Sequence, residues 1–411
     1  MSEHPQLSTG LERSQYFRPR AFLAGLVGGL ILCSALARFV SHRGYHDDFT
    51  RFHQSLSPEA QYYPTLDEMC GIVRPRCRPD QVLVIVGGNS VFNGVGQPAE
   101  KMWTVELQRR LGDGFVVLNF AFRGALPTDG GAVVAEVLRK EYPRQVYVAN
   151  TVPFSLPVPY GQEPYNYLFW EASHWGRLEG FPPRDELVAE YLDREFTWGQ
   201  RFDVWSRDWL DGALRFRDLW NWVGYEYLFT IQNPISPNLP QAVWARRRFA
   251  DIEPDFESIP VGERFRPEYR AAEMKIVRGF SDSYYFRERS GQWHLKPAIR
   301  SGFERVAKAA FPDDLKGRTL IMLSRNNPYY VRLLPADDLM RENAAYRDAA
   351  QAWRNAGYES TDYGSDYEAS DYGDRTHLSA SGGRRLANKV ADKVLEISRK
   401  RGYLQGEPPR P

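Results

Sequence analysis

Val82-Leu-Val-Ile-Val-Gly-Gly-Asn-Ser-Val-Phe-Asn-Gly94 is the stretch on which the fold turns. Val82 to Val86 is an unbroken aliphatic run that stops at Gly87-Gly88, which reads as a buried strand. Strands covered on both faces carry such continuous apolar runs, and they belong to parallel sheets. The glycine pair permits close backbone approach just past the strand.

Working outward, Trp103, Leu107 and Leu111 recur at helical spacing after Pro98, a residue suited to a first turn. Val116 to Phe120 reads as a second strand, Ala132 to Leu138 lies in a second helix, and Gln145 to Ala149 starts a third strand. Strand, helix, strand, helix, strand predicts a parallel sheet with helices on its faces. The alternation stops near residue 155 and resumes with Thr319 to Leu323, another buried strand. A helix follows over Asp337–Ala356. A last helix, with Ser381 as its N-cap, carries Leu386, Val390, Val394 and Ile397 on one face. The simplest organisation is one α/β core in two parts, 81–155 and 318–400, split by an insertion over 156–317 and followed by a proline-bearing tail, 401–411.

That insertion is too long for a plain loop. It is rich in Trp, Tyr, Phe and Arg, with fragments at 184–195 and 203–223 that read as helical. Its aromatics, such as Tyr165 to Trp170, suit either a carbohydrate groove or the interior of a helical cap over the strand ends. Arg246-Arg247-Arg248 reads as a solvated or interfacial face rather than a phosphate site.

Upstream of the core, residues 1–19 form a short tail and 41–80 a polar stalk. Between them Ala21 to Ala37 carries no charge, and Phe39 and Val40 extend the apolar run past Arg38. A transmembrane anchor over 20–40 is expected, with Arg38 snorkelling to the interface. Ala35-Leu36-Ala37 also fits a signal-peptidase site, and Leu30 to Cys33 faintly fits a lipobox. Gly25 and Gly29 make a weak helix-pairing motif. Arg13, Arg18 and Arg20 on one side balance Arg38, Arg43 and Arg51 on the other, so flanking charge sets no orientation. Cys70 and Cys77 are a candidate disulfide, which an oxidising compartment would favour; the alternative is two unpaired thiols.

With 53 Lys plus Arg against 52 Asp plus Glu, there is no electrostatic case for nucleic acid. The candidate chemistry is a serine nucleophile. Ser90 lies at the C-terminal end of the first strand, where open α/β sheets place their sites. The turn lacks the GxGxxG spacing of dinucleotide binders. A serine needs a base, usually His. Of seven histidines, His4 precedes the anchor, His42, His46 and His53 lie in the stalk, and His174 and His294 in the insertion. His377 alone belongs to the second part of the core, with Asp374 close enough in the same loop to orient its ring.

These residues carry a resemblance. Gly87-Gly88-Asn89-Ser90 resembles the nucleophile block of the SGNH/GDSL hydrolase superfamily, with Asn89 where Asp is usual. Asp374-Arg375-Thr376-His377-Leu378 is similar to that superfamily's DxxH block. Asn119 to Gly124 resembles its second block, and Val148-Ala149-Asn150-Thr151 stands where its third is expected, with Val148 and Thr151 in place of Gly and Asp. The resemblance implies a flavodoxin-like three-layer sandwich of SGNH type and a catalytic triad of Ser90, His377 and Asp374. It further implies an oxyanion hole from the N–H groups of Ser90 and Gly124 with the Asn150 amide, and no metal or cofactor. The layout of one anchor and one such domain is similar to cell-envelope esterases and O-acyltransferases. It implies an acylated or acyl-accepting glycan as substrate, a membrane O-acyltransferase partner and an extracytoplasmic catalytic domain. The alternative is a catalytically weak binding or assembly factor of a polysaccharide export complex.

Overall fold

The computed structural model describes residues 18–40, 49–52, 55–57, 60–61, 66–153, 197–216, 219, 255–265, 274 and 285–404. The expectations for Tyr165 to Trp170, for Arg246 to Arg248 and for the helix over 184–195 fall outside the described residues, as do 1–17 and 405–411 of the two tails.

Five parallel strands form the central sheet: β1 (Val82–Gly87), β2 (Phe115–Asn119), β3 (Gln145–Thr151), β4 (Thr319–Leu323) and β5 (Glu359–Asp362). Their order is β2-β1-β3-β4-β5, the arrangement that reverses direction between β1 and β3. Because side chains alternate across a strand, each strand feeds two cores. Val82, Val84, Val86, Val146, Val148, Leu320 and Met322 face one core, closed by Trp103 and Leu107 of α4 (Trp103–Leu111) and by Leu386, Val390, Val394 and Ile397 of α8 (Ala380–Lys400). Leu83, Ile85, Tyr147, Ala149, Ile321 and Leu323 face the other. There they meet α2 (Leu66–Val73), α5 (Gly131–Leu138), α6 (Pro297–Ala309) and α7 (Ala336–Asn355), through Met69, Val134, Phe303 and Trp353 among others. Each large apolar side chain buried this way contributes roughly 1.5–3 kcal/mol.

Parallel neighbours cannot be joined by a tight turn, and α6 lies in the connection between β3 and β4. Tyr285, Leu295, Phe303, Phe311 and Leu315 all belong to the sheet's own core. Residues 285–316, which the sequence reading assigns to the insertion, therefore pack with the sheet.

Ahead of the sheet, α1 (Pro19–Val40) is long and apolar enough to cross a membrane, with Phe22, Leu23, Ile31, Leu32 and Phe39 exposed. Two local expectations are corrected. The N-cap of α8 is Ser379, while the Ser381 hydroxyl pairs with that of Ser379 at 2.9 Å. Cys70 and Cys77 are free thiols, not a disulfide. Cys70 is buried with Met69 and Val73 on the core face of α2, and the Cys77 sulfur lies 3.6 Å from the carbonyl oxygen of Arg78. Burial pushes the Cys77 thiol up to about 11.

Candidate active site

The strand order reverses between β1 and β3, the place where open α/β sheets form a crevice at their C-terminal edge. β1 ends at Gly87, whose register partner on β3 is Ala149. Gly88 then takes φ +92°, and a Cβ there would fall 2.7 Å from the backbone N of Asn150. Only glycine fits such a turn without strain. Asn89 caps the short helix α3 (Ser90–Asn93), its Oδ1 accepting the Val91 N–H at 3.0 Å. Capping leaves Ser90 as the first residue of the helix, half-buried at the crevice.

The opposite wall is the loop between β5 and α8. Nε2 of His377 lies 2.8 Å from Oγ of Ser90, and Nδ1 lies 2.6 Å from Oδ2 of Asp374. The other carboxylate oxygen, Oδ1, accepts the backbone N–H groups of Thr376 and His377, each at 2.8 Å. Burial pushes the Asp374 carboxyl upward, but the His377 ring and these two N–H donors outweigh it and hold the group below the usual carboxylate range. Asp374 is thus an acceptor fixed on both oxygens, able to set the orientation and tautomer of the imidazole.

Gly124 lies in the loop after β2, exposed, with φ +77°. That loop is tied to the serine turn: the Phe122 N–H donates to Gly88 O at 3.0 Å, and Asn93 Nδ2 donates to Ala121 O at 2.8 Å. Among the described residues, neither the Ser90 nor the Gly124 N–H has a protein acceptor.

Asn150 sits differently from its expected role. It is fully buried, and its Nδ2 donates to Asn89 Oδ1 at 2.7 Å and to Ser324 Oγ at 2.6 Å. Its Oδ1 accepts the Asn89 N–H at 2.9 Å. Both amide hydrogens are thus taken up within the protein, so the side chain braces the serine turn in this arrangement.

Sequence reasoning missed the supports beneath the site. Ser324 passes the Asn150 contact on to the Tyr363 hydroxyl at 3.0 Å. Asn327, fully buried, donates from Nδ2 to Asp374 O at 3.0 Å, and its backbone N–H donates to Arg375 O at 2.7 Å. Both residues lie just past a buried strand, in Ser324-Arg325-Asn326-Asn327-Pro328, and that polar run at a strand end was the available signal. A third support comes from 255–265. The Phe256 ring fills the space a Cβ would need at both Gly96 and Gly373, and its N–H donates to Gly96 O at 3.0 Å. Asp255 pairs with Lys101 at 2.7 Å, Glu257 with Arg384 at 3.1 Å, and Arg264 donates to Tyr372 O at 2.9 Å. These contacts strap the base of the loop that carries Asp374 and His377.

Among the other histidines, only His294 is described; its Nε2 lies 3.6 Å from Glu288. Compared with known proteins, the chain matches no family model and no curated sequence.

Proposed function

We propose that this chain is a membrane-anchored serine esterase or O-acyltransferase of the SGNH/GDSL kind, with an insertion-bearing three-layer domain, working on acyl esters of a cell-envelope polysaccharide. The observation that carries the chemistry is the hydrogen-bonded chain Ser90–His377–Asp374 at the strand-end crevice. In this reading Ser90 Oγ attacks the ester carbonyl while His377 Nε2 takes its proton. The tetrahedral oxyanion is met by the Ser90 and Gly124 N–H groups, each such donor being worth about 3 kcal/mol in the transition state. Collapse expels the alcohol, protonated by His377, and leaves an acyl-serine. Asp374 steadies the imidazolium through both half-reactions. Water arriving next gives hydrolysis; a sugar hydroxyl gives transfer.

The glycan, a membrane O-acyltransferase that delivers acyl groups, and the extracytoplasmic placement rest on layout: one apolar helix long enough to span, joined to one such domain. The second reading is a weakly catalytic binding or assembly factor. It is favoured by one observation, the commitment of both Asn150 amide hydrogens to Asn89 and Ser324.

Turnover separates the two readings. Purified full-length protein is expected to release p-nitrophenol from p-nitrophenyl acetate far faster than Ser90→Ala. Equal rates for the two folded proteins would leave the binding reading. For the substrate, the envelope glycan of a Ser90→Ala strain is expected to change its acyl content; an unchanged content rejects the glycan.

A further inference from the structure

Residues 197–216 carry no residue of the triad, yet among the described residues they hold the most exposed tryptophans. A helix, Trp198–Arg207, runs into a π-helical turn, Asp208–Ala213. Trp198 is 80% exposed, Trp205 56%, Phe202 50%, Trp209 49% and Leu210 40%. Positions 198, 202, 205 and 209 recur at helical spacing and so fall on one face. The rings touch: Trp198 stacks on Phe202 at 5.6 Å between centroids, and Phe202 meets Trp205 at 5.6 Å. A continuous exposed aromatic face of this kind marks an interaction surface.

Its position indicates the occupant. Nη2 of Arg38, in the last turn of α1, donates to the carbonyl oxygen of Ala213 at 2.9 Å. Ser34 and Ala37 are buried at that same end, whereas most of α1 is exposed. The 22 residues of α1 rise by about 33 Å, the thickness of a hydrocarbon core with little to spare, so Arg38 marks the level of the lipid headgroups. Two residues on, Arg215 pairs with Asp67 of α2 at 2.6 Å. The C-terminal end of the aromatic segment is therefore fixed both to the end of the anchor and to the α/β body.

We infer that the Trp198–Trp209 face lies in the headgroup region of the bilayer that α1 enters, forming a second, interfacial contact that fixes how the body rests on the membrane. Tryptophan suits this place because its ring is apolar while its N–H reaches water or ester oxygens, and it is enriched at membrane interfaces for that reason. Such a face buries its apolar side at the boundary between headgroups and acyl chains without spanning. The inference requires α1 to be a membrane helix, but it is independent of the acyl-ester chemistry.

The test uses full-length protein reconstituted into phosphatidylcholine vesicles whose lipids carry bromine high on the acyl chains, where it quenches nearby tryptophan. Wild type is compared with the triple variant Trp198→Phe, Trp205→Phe, Trp209→Phe. Phenylalanine keeps the apolar face and the fold, and removes three of the eleven tryptophans. Only vesicle-bound protein that survives an alkaline wash is measured, so α1 is inserted in every sample. The expected result is strong fractional quenching of wild type by brominated over plain lipid, and loss of most of it in the triple variant. Equal fractional quenching in the two proteins, whether the face lies in water or against a second copy, would overturn the inference.

Discussion

His377 Nε2 meets Ser90 Oγ at 2.8 Å although 287 positions of chain separate the two residues. A contact of that range must be held by the whole fold. Ser90 is placed by the end of β1, and His377 by the loop that leads from β5 into α8.

Asp374→Asn tests the orienting carboxylate. The amide replaces an acceptor with a group that can present N–H to the ring, favouring the wrong tautomer, and kcat is expected to fall by about 10³–10⁴-fold. There is a matching pH signature. The folded carboxyl is held below its usual range, so its contribution to stability is present above the unfolded pKa near 3.9 and is lost as pH falls through the lower folded value. Below about pH 4, acid unfolding followed by circular dichroism should be shallower in Asp374→Asn than in wild type.

Asn150→Ala tests the brace. Removing the amide strands the Asn89 N–H, while Asn89 Oδ1 keeps the Val91 N–H and Ser324 Oγ keeps the Tyr363 hydroxyl. Leaving buried polar groups unpaired costs about 1–3 kcal/mol each. A lowered midpoint in thermal unfolding is expected. An unchanged midpoint with reduced kcat would instead place the amide at the reacting oxygen.

Phe256→Ala tests the strap. The ring is wedged against Gly96 and Gly373, so its loss should let the Asp374–His377 loop drift. A lower kcat is expected, with Phe256→Tyr, which keeps the ring, staying near wild type. Equal damage in both variants would point to general unfolding.

The cysteines are tested by titration. Denatured, unreduced protein should yield three reactive thiols; a disulfide would leave one. Cys77 is pushed from 9.0 up to about 11 in the folded state. Its share of stability is therefore present below pH 9.0 and falls away as pH rises toward about 11. At pH 10.5 that share is roughly 2 kcal/mol smaller than at pH 8, and Cys77→Ala should lack this component of alkaline destabilisation.

Much of the sheet and the three residues of the crevice were legible because their signals are local. Val82 to Val86 and Thr319 to Leu323 are dense apolar runs, and Ser90 and His377 each sit in a short segment whose residue types announce a turn. The remainder depends on distant partners. Asn150 takes its expected oxyanion role from the third block, and nothing local names Asn89 or Ser324, which lie 61 and 174 positions away. Phe256 is one aromatic among many until two glycines are seen to make room for it. Cys70 and Cys77 are close in sequence, but one thiol is committed to the core face of α2, a direction that spacing does not reveal.

The central claim is that Ser90 is a nucleophile activated by His377. Full-length protein treated with a fluorophosphonate probe and mapped by mass spectrometry tests it most directly. One adduct is expected, on Ser90, absent from Ser90→Ala and much slower to form in His377→Ala. Folded wild-type protein that takes no adduct, or labelling that persists in Ser90→Ala, would contradict it.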